Sequence, residues 1–133
     1  MARASTTVLV VDDEDDVRGL LRRRLESAGY TAIEADGPKS ALRVLDKTKV
    51  DVLLTDVLMP ERSGVGLIQD VRRTHPGVRV VAMSGAFEPE DVARLVDVHV
   101  LPKPFTSEQL IHAVEGADSR ARRLLRKLVS VFR

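Results

Sequence analysis

The chain contains no cysteine, and only 3% of its residues are aromatic. Without cysteine neither a disulfide nor a thiolate metal site can contribute, and the composition fits a reducing cytosol. With so few rings the core has to be built from Val, Leu, Ile and Ala, and a base-stacking surface for single-stranded nucleic acid is not supported. The N-terminal MARASTT carries no apolar run of signal-peptide length, and no stretch approaches a membrane span. The expected location is therefore the cytoplasm. An acidic turn, not a glycine-rich one, follows the first apolar run, which weighs against a nucleotide-binding protein that cradles phosphates on backbone amides.

What is present is enough for one domain with its own core, at 133 residues and 44% hydrophobic content. The net charge of +1 hides an asymmetry. Residues 117 to 133 hold six Lys or Arg against Asp118, giving +5, while the preceding residues sum to −4. An acidic body and a basic tail need separate explanations.

Short apolar runs punctuate the body. VLVVD (residues 8–12) ends in acid and runs into Asp13, Glu14, Asp15 and Asp16; Val17, Leu20, Leu21, Leu25 and Ala28 then recur at helical spacing, with Gly29 as the C-terminal cap. Thr31 to Ala35 reads as a second strand, Gly37-Pro38 as a turn, and Ala41, Leu42 and Leu45 as a helical stripe. The third run, in VDVLLTDVLMP from Val50 to Pro60, has the pattern of a strand buried on both faces, and Asp56 sits where it emerges. Ser63 can cap a helix carrying Leu67, Ile68 and Val71, which stops before His75-Pro76-Gly77.

Val78 to Met83 is a fourth strand, ending at Ser84-Gly85; Glu88 to Val96 is a weaker helix; Val98 to Leu101 is a fifth strand, ended by Pro102-Lys103-Pro104-Phe105. Thr106 and Gln109 have capping-box spacing before Leu110, Ile111 and Val114, so a fifth helix begins there. Five strands alternating with five helices predict an α/β fold, a parallel sheet with helices on both faces.

Parallel strands bring their carboxyl ends to one edge, and here those ends carry Asp12 and Asp13, Asp56, Ser84 and Lys103. Clustered carboxylates repel one another and raise each other's pKa unless a cation relieves them. The cation expected is Mg²⁺, with Mn²⁺ as an alternative, because it is hard, takes oxygen ligands and uses few carboxylates; Lys103 adds a mobile positive charge. Asp15 and Asp16 read instead as a helix start complementing the macrodipole. His75, His99 and His112 have no partners at metal-ligand spacing and read as surface or packing residues, and Met59 as a gap-filler.

VLVVDDE, LLTDVLMP, VVAMSG and LPKPF, in that order on successive strands, resemble the receiver domain of two-component response regulators over about residues 7 to 117. The resemblance implies a flavodoxin-like, doubly wound sheet in the order 2-1-3-4-5, an order the chemotaxis receivers are known for. It implies that Asp56 takes a phosphoryl group from a phosphohistidine of a sensor histidine kinase or phosphotransfer protein. Asp13 and Asp56 would ligate Mg²⁺ directly, with the backbone carbonyl of Leu58 as a third protein ligand and Asp12 acting through water. Ser84 would bond a phosphoryl oxygen, and Lys103, followed by Pro104 in a cis bond, would pair with the phosphoryl group. Two departures fall on the signalling face. The position three residues before the lysine, usually an aromatic switch, is Val100, and Ser84 and Lys103 stand closer than is usual, which shortens the fourth helix.

The tail, residues 118–133, is separated from the receiver body at 1–117. Leu110, Val114, Ala117, Ala121, Leu124, Leu128 and Val131 form a heptad seam whose first part packs on the body; the rest is expected to extend the fifth helix and pair with a second copy or a partner, with a solvated tail as the alternative. DNA binding through this tail is disfavoured, since it has no second recognition helix. An aspartate-nucleophile phosphatase is the enzyme alternative, although its nucleophile would belong on the first strand. A receiver cut from a larger hybrid kinase or regulator is a further one. Any activity expected is limited to the protein's own phosphorylation and dephosphorylation.

Overall fold

The computed structural model describes residues 6–57, 64–85 and 98–117. Its elements are β1 (Thr7–Val11), α1 (Asp15–Ser27), β2 (Thr31–Ala35), α2 (Pro38–Lys47), β3 (Val52–Asp56), α3 (Gly64–Thr74), β4 (Arg79–Ser84), β5 (His99–Pro102) and α4 (Ser107–Ala117). The last is the helix that the sequence pattern numbers fifth. Ser63, the expected helix Glu88 to Val96, and the tail at 118–133 lie outside the described residues.

The strands form one parallel sheet in the order β2-β1-β3-β4-β5, the expected flavodoxin-like arrangement. β3 is central and buried at every position, while the edge strands β2 and β5 are partly exposed. The near-continuous apolar runs follow from burial on both faces. Within β1, Leu9 and Val11 join one core cluster with Ala41 and Leu45 of α2 and Ile68 and Val71 of α3; Val8 and Val10 join another with Leu21 and Leu25 of α1 and Leu110 and Val114 of α4. Each buried Leu contributes roughly 1.5–3 kcal/mol relative to exposure. The two layers clamp the sheet and leave its carboxyl edge free for chemistry.

Local signals agree with these elements. Gly29 adopts φ 98°; its N–H bonds the Glu26 carbonyl at 3.0 Å, and the Tyr30 N–H bonds the Leu25 carbonyl at 3.0 Å, a Schellman closure of α1. The Thr106 N–H donates to Gln109 Oε1 (2.8 Å), and the Gln109 N–H donates to Thr106 Oγ1 (3.1 Å), so the expected capping box opens α4. Leu110, Val114 and Ala117 are buried, so the first part of the seam is spent on the body; Ala121, Leu124, Leu128 and Val131 lie outside the described residues. One apolar position departs from expectation: Leu20 is 43% exposed. Leu21 faces the sheet, and its neighbour, turned about 100° around the helix, falls off the buried stripe.

Candidate functional site

The sheet register dictates which residues meet. Val11 aligns with Thr55, Asp56 with Met83, and Ser84 with Pro102. One residue beyond Val11 and Thr55 stand Asp12 and Asp56, both buried, at 1% and 8% exposure. Oxygen atoms of Asp12, Asp13 and Asp56 all lie within 4.8 Å of one another. Lys103 reaches back from the end of β5 to place Nζ 2.9 Å from Asp56 Oδ2. Its own N–H donates to the Ser84 carbonyl at 2.8 Å, which ties the β5 loop to β4, and the Lys103–Pro104 bond is cis. Ser84 is 4% exposed at the end of β4. The five side chains proposed from sequence therefore share one rim; Leu58 lies outside the described residues.

Each carboxylate has its own setting. The Asp12 N–H bonds the Ala35 carbonyl, and Asp12 Oδ1 accepts the Glu14 N–H at 2.9 Å. Asp12 Oδ2 is buried and has no hydrogen-bond partner. Burial raises the Asp12 pKa above its ordinary value; the Glu14 amide and the Lys103 charge oppose the rise, while Asp56 and Asp13 add to it. Asp13 is exposed. Thr55 Oγ1 donates to the Asp56 carbonyl within the strand (3.1 Å), and the Val57 N–H bonds the Met83 carbonyl, so β4 holds the strand end that carries Asp56.

This donor set fits a hard divalent cation. All three groups offer oxygen, one buried oxygen lacks any partner, and the exposed Asp13 leaves a side open for water. Three carboxylates against one lysine leave the rim negative. Among the described residues this is the one cluster of three His, Asp or Glu that could hold a metal. Away from the rim, His75 Nε2 lies 3.2 Å from Asp46 Oδ1, with Nδ1 2.8 Å from Thr74 Oγ1. Val100 pairs with Ala82 in the sheet and packs, partly buried, against the core on the α2 and α3 side.

Sequence reading missed two residues that shape the rim. A Cβ on Gly64 would run into the Asp56 carbonyl oxygen and stand 2.8 Å from Val57 Cα. Only glycine lets the start of α3 approach β3 this closely, and the Gly64 N–H bonds the Val57 carbonyl at 2.8 Å. The second is Arg18, whose guanidinium bonds Glu34 Oε1, Asp15 Oδ1 and the Asp12 carbonyl. Glu34 was the available signal, because a half-buried carboxylate between the apolar Ile33 and Ala35 of a strand requires a cation nearby. Beside Lys103, Val17, Leu20, Leu21, Phe105 and Leu110 line a groove of about 490 Å³ between α1 and the start of α4.

Comparison with known proteins converges on one family. Residues 8–115 match the family model described as the response regulator receiver domain. The chain is 39% identical over 116 residues to the sensor kinase CckA of Brucella abortus, covering 84% of this chain but 12% of that kinase's length. It is 32% identical over 112 residues to the response regulator receiver protein CpdR of the same organism, covering 81% of this chain and 92% of that protein. A response regulator receiver protein from Pseudomonas putida superposes with a TM-score of 0.77 at 33% identity, over 84% of this chain and 96% of that one. The strand order, the acidic rim with its lysine, and these matches together make the chain a member of the response regulator receiver domain family.

Proposed function

We propose that the chain is a phospho-accepting signalling switch in which Asp56 takes a phosphoryl group from a phosphohistidine of a sensor histidine kinase or phosphotransfer protein. The observation that carries this reading is the Asp56 carboxylate at the end of the central strand, 2.9 Å from Lys103 and inside a ring of carboxylates. An Asp56 oxygen forms a bond to phosphorus while the bond from phosphorus to the donor's imidazole nitrogen breaks, its electron pair leaving with the imidazole. Such a transfer asks the protein for position and charge compensation more than for covalent chemistry. Mg²⁺, or Mn²⁺ in its place, would be held by Asp13, Asp56 and the Leu58 carbonyl, with Asp12 through water, and would neutralise charge on the transferred oxygens. Lys103 follows the negative charge, exchanging Asp56 Oδ2 for a phosphoryl oxygen, and Ser84 Oγ donates to another.

The switch follows from that exchange. Lys103 and Ser84 belong to the ends of β5 and β4, so a new partner for both redistributes the chain between two arrangements of that edge, one of which binds a target better. The groove beside Lys103, with the exposed Leu20, offers an apolar approach for the phosphoryl donor. The sensor kinase match is consistent with the receiver forming part of a hybrid kinase, and the CpdR match with a small regulator.

The test is incubation with acetyl phosphate and MgCl₂, followed by intact mass measurement. A phosphate adduct on the wild type that is missing from Asp56→Ala is expected. An adduct of equal yield on both, or none on the wild type, overturns the assignment.

A further inference from the structure

The guanidinium of Arg18 has three nitrogens in one plane, and each serves a different element. Nε donates to Glu34 Oε1 on β2 (2.9 Å), Nη1 to the backbone carbonyl of Asp12 at the end of β1 (2.8 Å), and Nη2 to Asp15 Oδ1 in the first turn of α1 (2.6 Å). The side chain is only 13% exposed. Burial alone would lower the Arg18 pKa, but the hydrogen bonds to Asp15 and Glu34 outweigh it and raise the pKa.

The consequence falls on Asp12. Its N–H is held by the Ala35 carbonyl, its Oδ1 by the Glu14 N–H, and its carbonyl by Arg18, so Oδ2 is the one oxygen of this residue that the protein leaves unbonded, and it is buried. The turn also carries Asp13 within 4.8 Å of Asp56, and mutual repulsion of these carboxylates pushes it outward. We propose that Arg18 is a positioning residue, which clamps the β1–α1 turn so that Asp12 and Asp13 face Asp56 at the spacing a divalent cation needs. This rests on the phospho-acceptor reading given above. A lysine cannot replace it, because one Nζ cannot reach three acceptors that lie on a strand, a turn and a helix. Arg22 provides the contrast: it pairs with Glu26 (3.0 Å) and with the same Glu34 (3.1 Å), contacts on α1 and β2 rather than on the turn.

Calorimetric titration of MgCl₂ into the full chain tests this with wild type, Arg18→Lys, Arg18→Met, Arg22→Met and Asp13→Asn. Wild type binds and Asp13→Asn loses binding. Both Arg18 variants weaken Mg²⁺ affinity about tenfold, the scale on which residues that orient metal ligands act, and Arg22→Met stays within about twofold. Phosphorylation of Arg18→Lys by acetyl phosphate recovers as Mg²⁺ is raised, at a temperature where circular dichroism shows the metal-free variant already folded, so that the recovery is not refolding driven by metal binding. Far-UV circular dichroism identifies the variants that are folded. If Arg18→Met is not, Arg18→Lys carries the test alone, since it keeps the charge and the stem. A wild type that binds Mg²⁺ beside folded Arg18 variants of unchanged affinity overturns this inference only. A wild type that takes up no Mg²⁺ overturns both it and the metal site.

Discussion

Asp12→Asn removes one charge from the rim while keeping the shape of the side chain and the acceptor for the Glu14 N–H. Asp12 and Asp56 oxygens lie within 4.8 Å of each other. At an effective dielectric of about 20, two unit charges at that distance repel by about 3.5 kcal/mol. The Lys103 ammonium, 2.9 Å from Asp56, cancels much of this, and a net gain of about 1–2 kcal/mol is expected from the substitution in metal-free protein. That corresponds to a rise in Tm of roughly 3–8 °C for a domain of this size. Urea denaturation at neutral pH in EDTA measures it. Adding Mg²⁺ stabilises the wild type through binding to the folded state, so the gap narrows as the ion is titrated.

The pH dependence has a definite sign. The folded pKa of Asp12 is raised, first by burial and then by its acidic neighbours, so the fold favours the protonated form. Its contribution to stability is complete below the ordinary value of 3.8 and is lost as pH rises through the folded pKa. Metal-free wild type therefore falls progressively behind Asp12→Asn as pH is raised from that region toward neutrality. A variant less stable than wild type in EDTA, or a gap that ignores both pH and Mg²⁺, refutes the account of the rim as electrostatically strained.

Other perturbations separate the parts of the structure. Gly64→Ala forces α3 away from β3 and breaks the Gly64–Val57 hydrogen bond; a loss of about 1–3 kcal/mol in urea denaturation, together with slower phosphorylation by acetyl phosphate, is expected. Lys103→Gln leaves the buried Asp56 without its lysine, which costs about 1–3 kcal/mol and reduces the yield of stable phosphorylated protein, read by intact mass. Thr106→Ala breaks the capping box and costs about 1 kcal/mol, with phosphorylation yield unchanged because the residue lies outside the rim.

The sheet and the rim were readable from sequence for the same reason. An apolar run of four or five residues that ends on a carboxylate states both that it is buried and that something polar waits at its end. The parallel register then brings Asp12, Asp56, Ser84 and Lys103 together without further information. The strands fell within a residue or two of expectation, with β1 at Thr7–Val11 where the run suggested 8–12. Leu20 failed because helical spacing gives the centre of an apolar stripe better than its margin. Gly64 failed because its need for a bare Cα comes from the approach of another element, which no local pattern carries. Ser63, Leu58, the helix expected at Glu88 to Val96 and the seam beyond Ala117 lie outside the described residues.

Arg18 marks a more general boundary of sequence reading. Asp12 and Asp56 attracted attention because burying charge is costly, and a cost of that size needs a reason. Glu34 is costly in a similar way, a half-buried carboxylate between Ile33 and Ala35 of the strand TAIEA, with its side chain 26% exposed. Asking for its cation leads to Arg18 and Arg22, which lie on the helix that packs against that strand. From Arg18 the remaining guanidinium nitrogens lead to the turn and so to the rim. The supporting residue was therefore reachable, but through the partner it neutralises rather than the site it serves. An arginine on an exposed-looking helix gives no signal of its own, since only the distances reveal that its three nitrogens are all engaged.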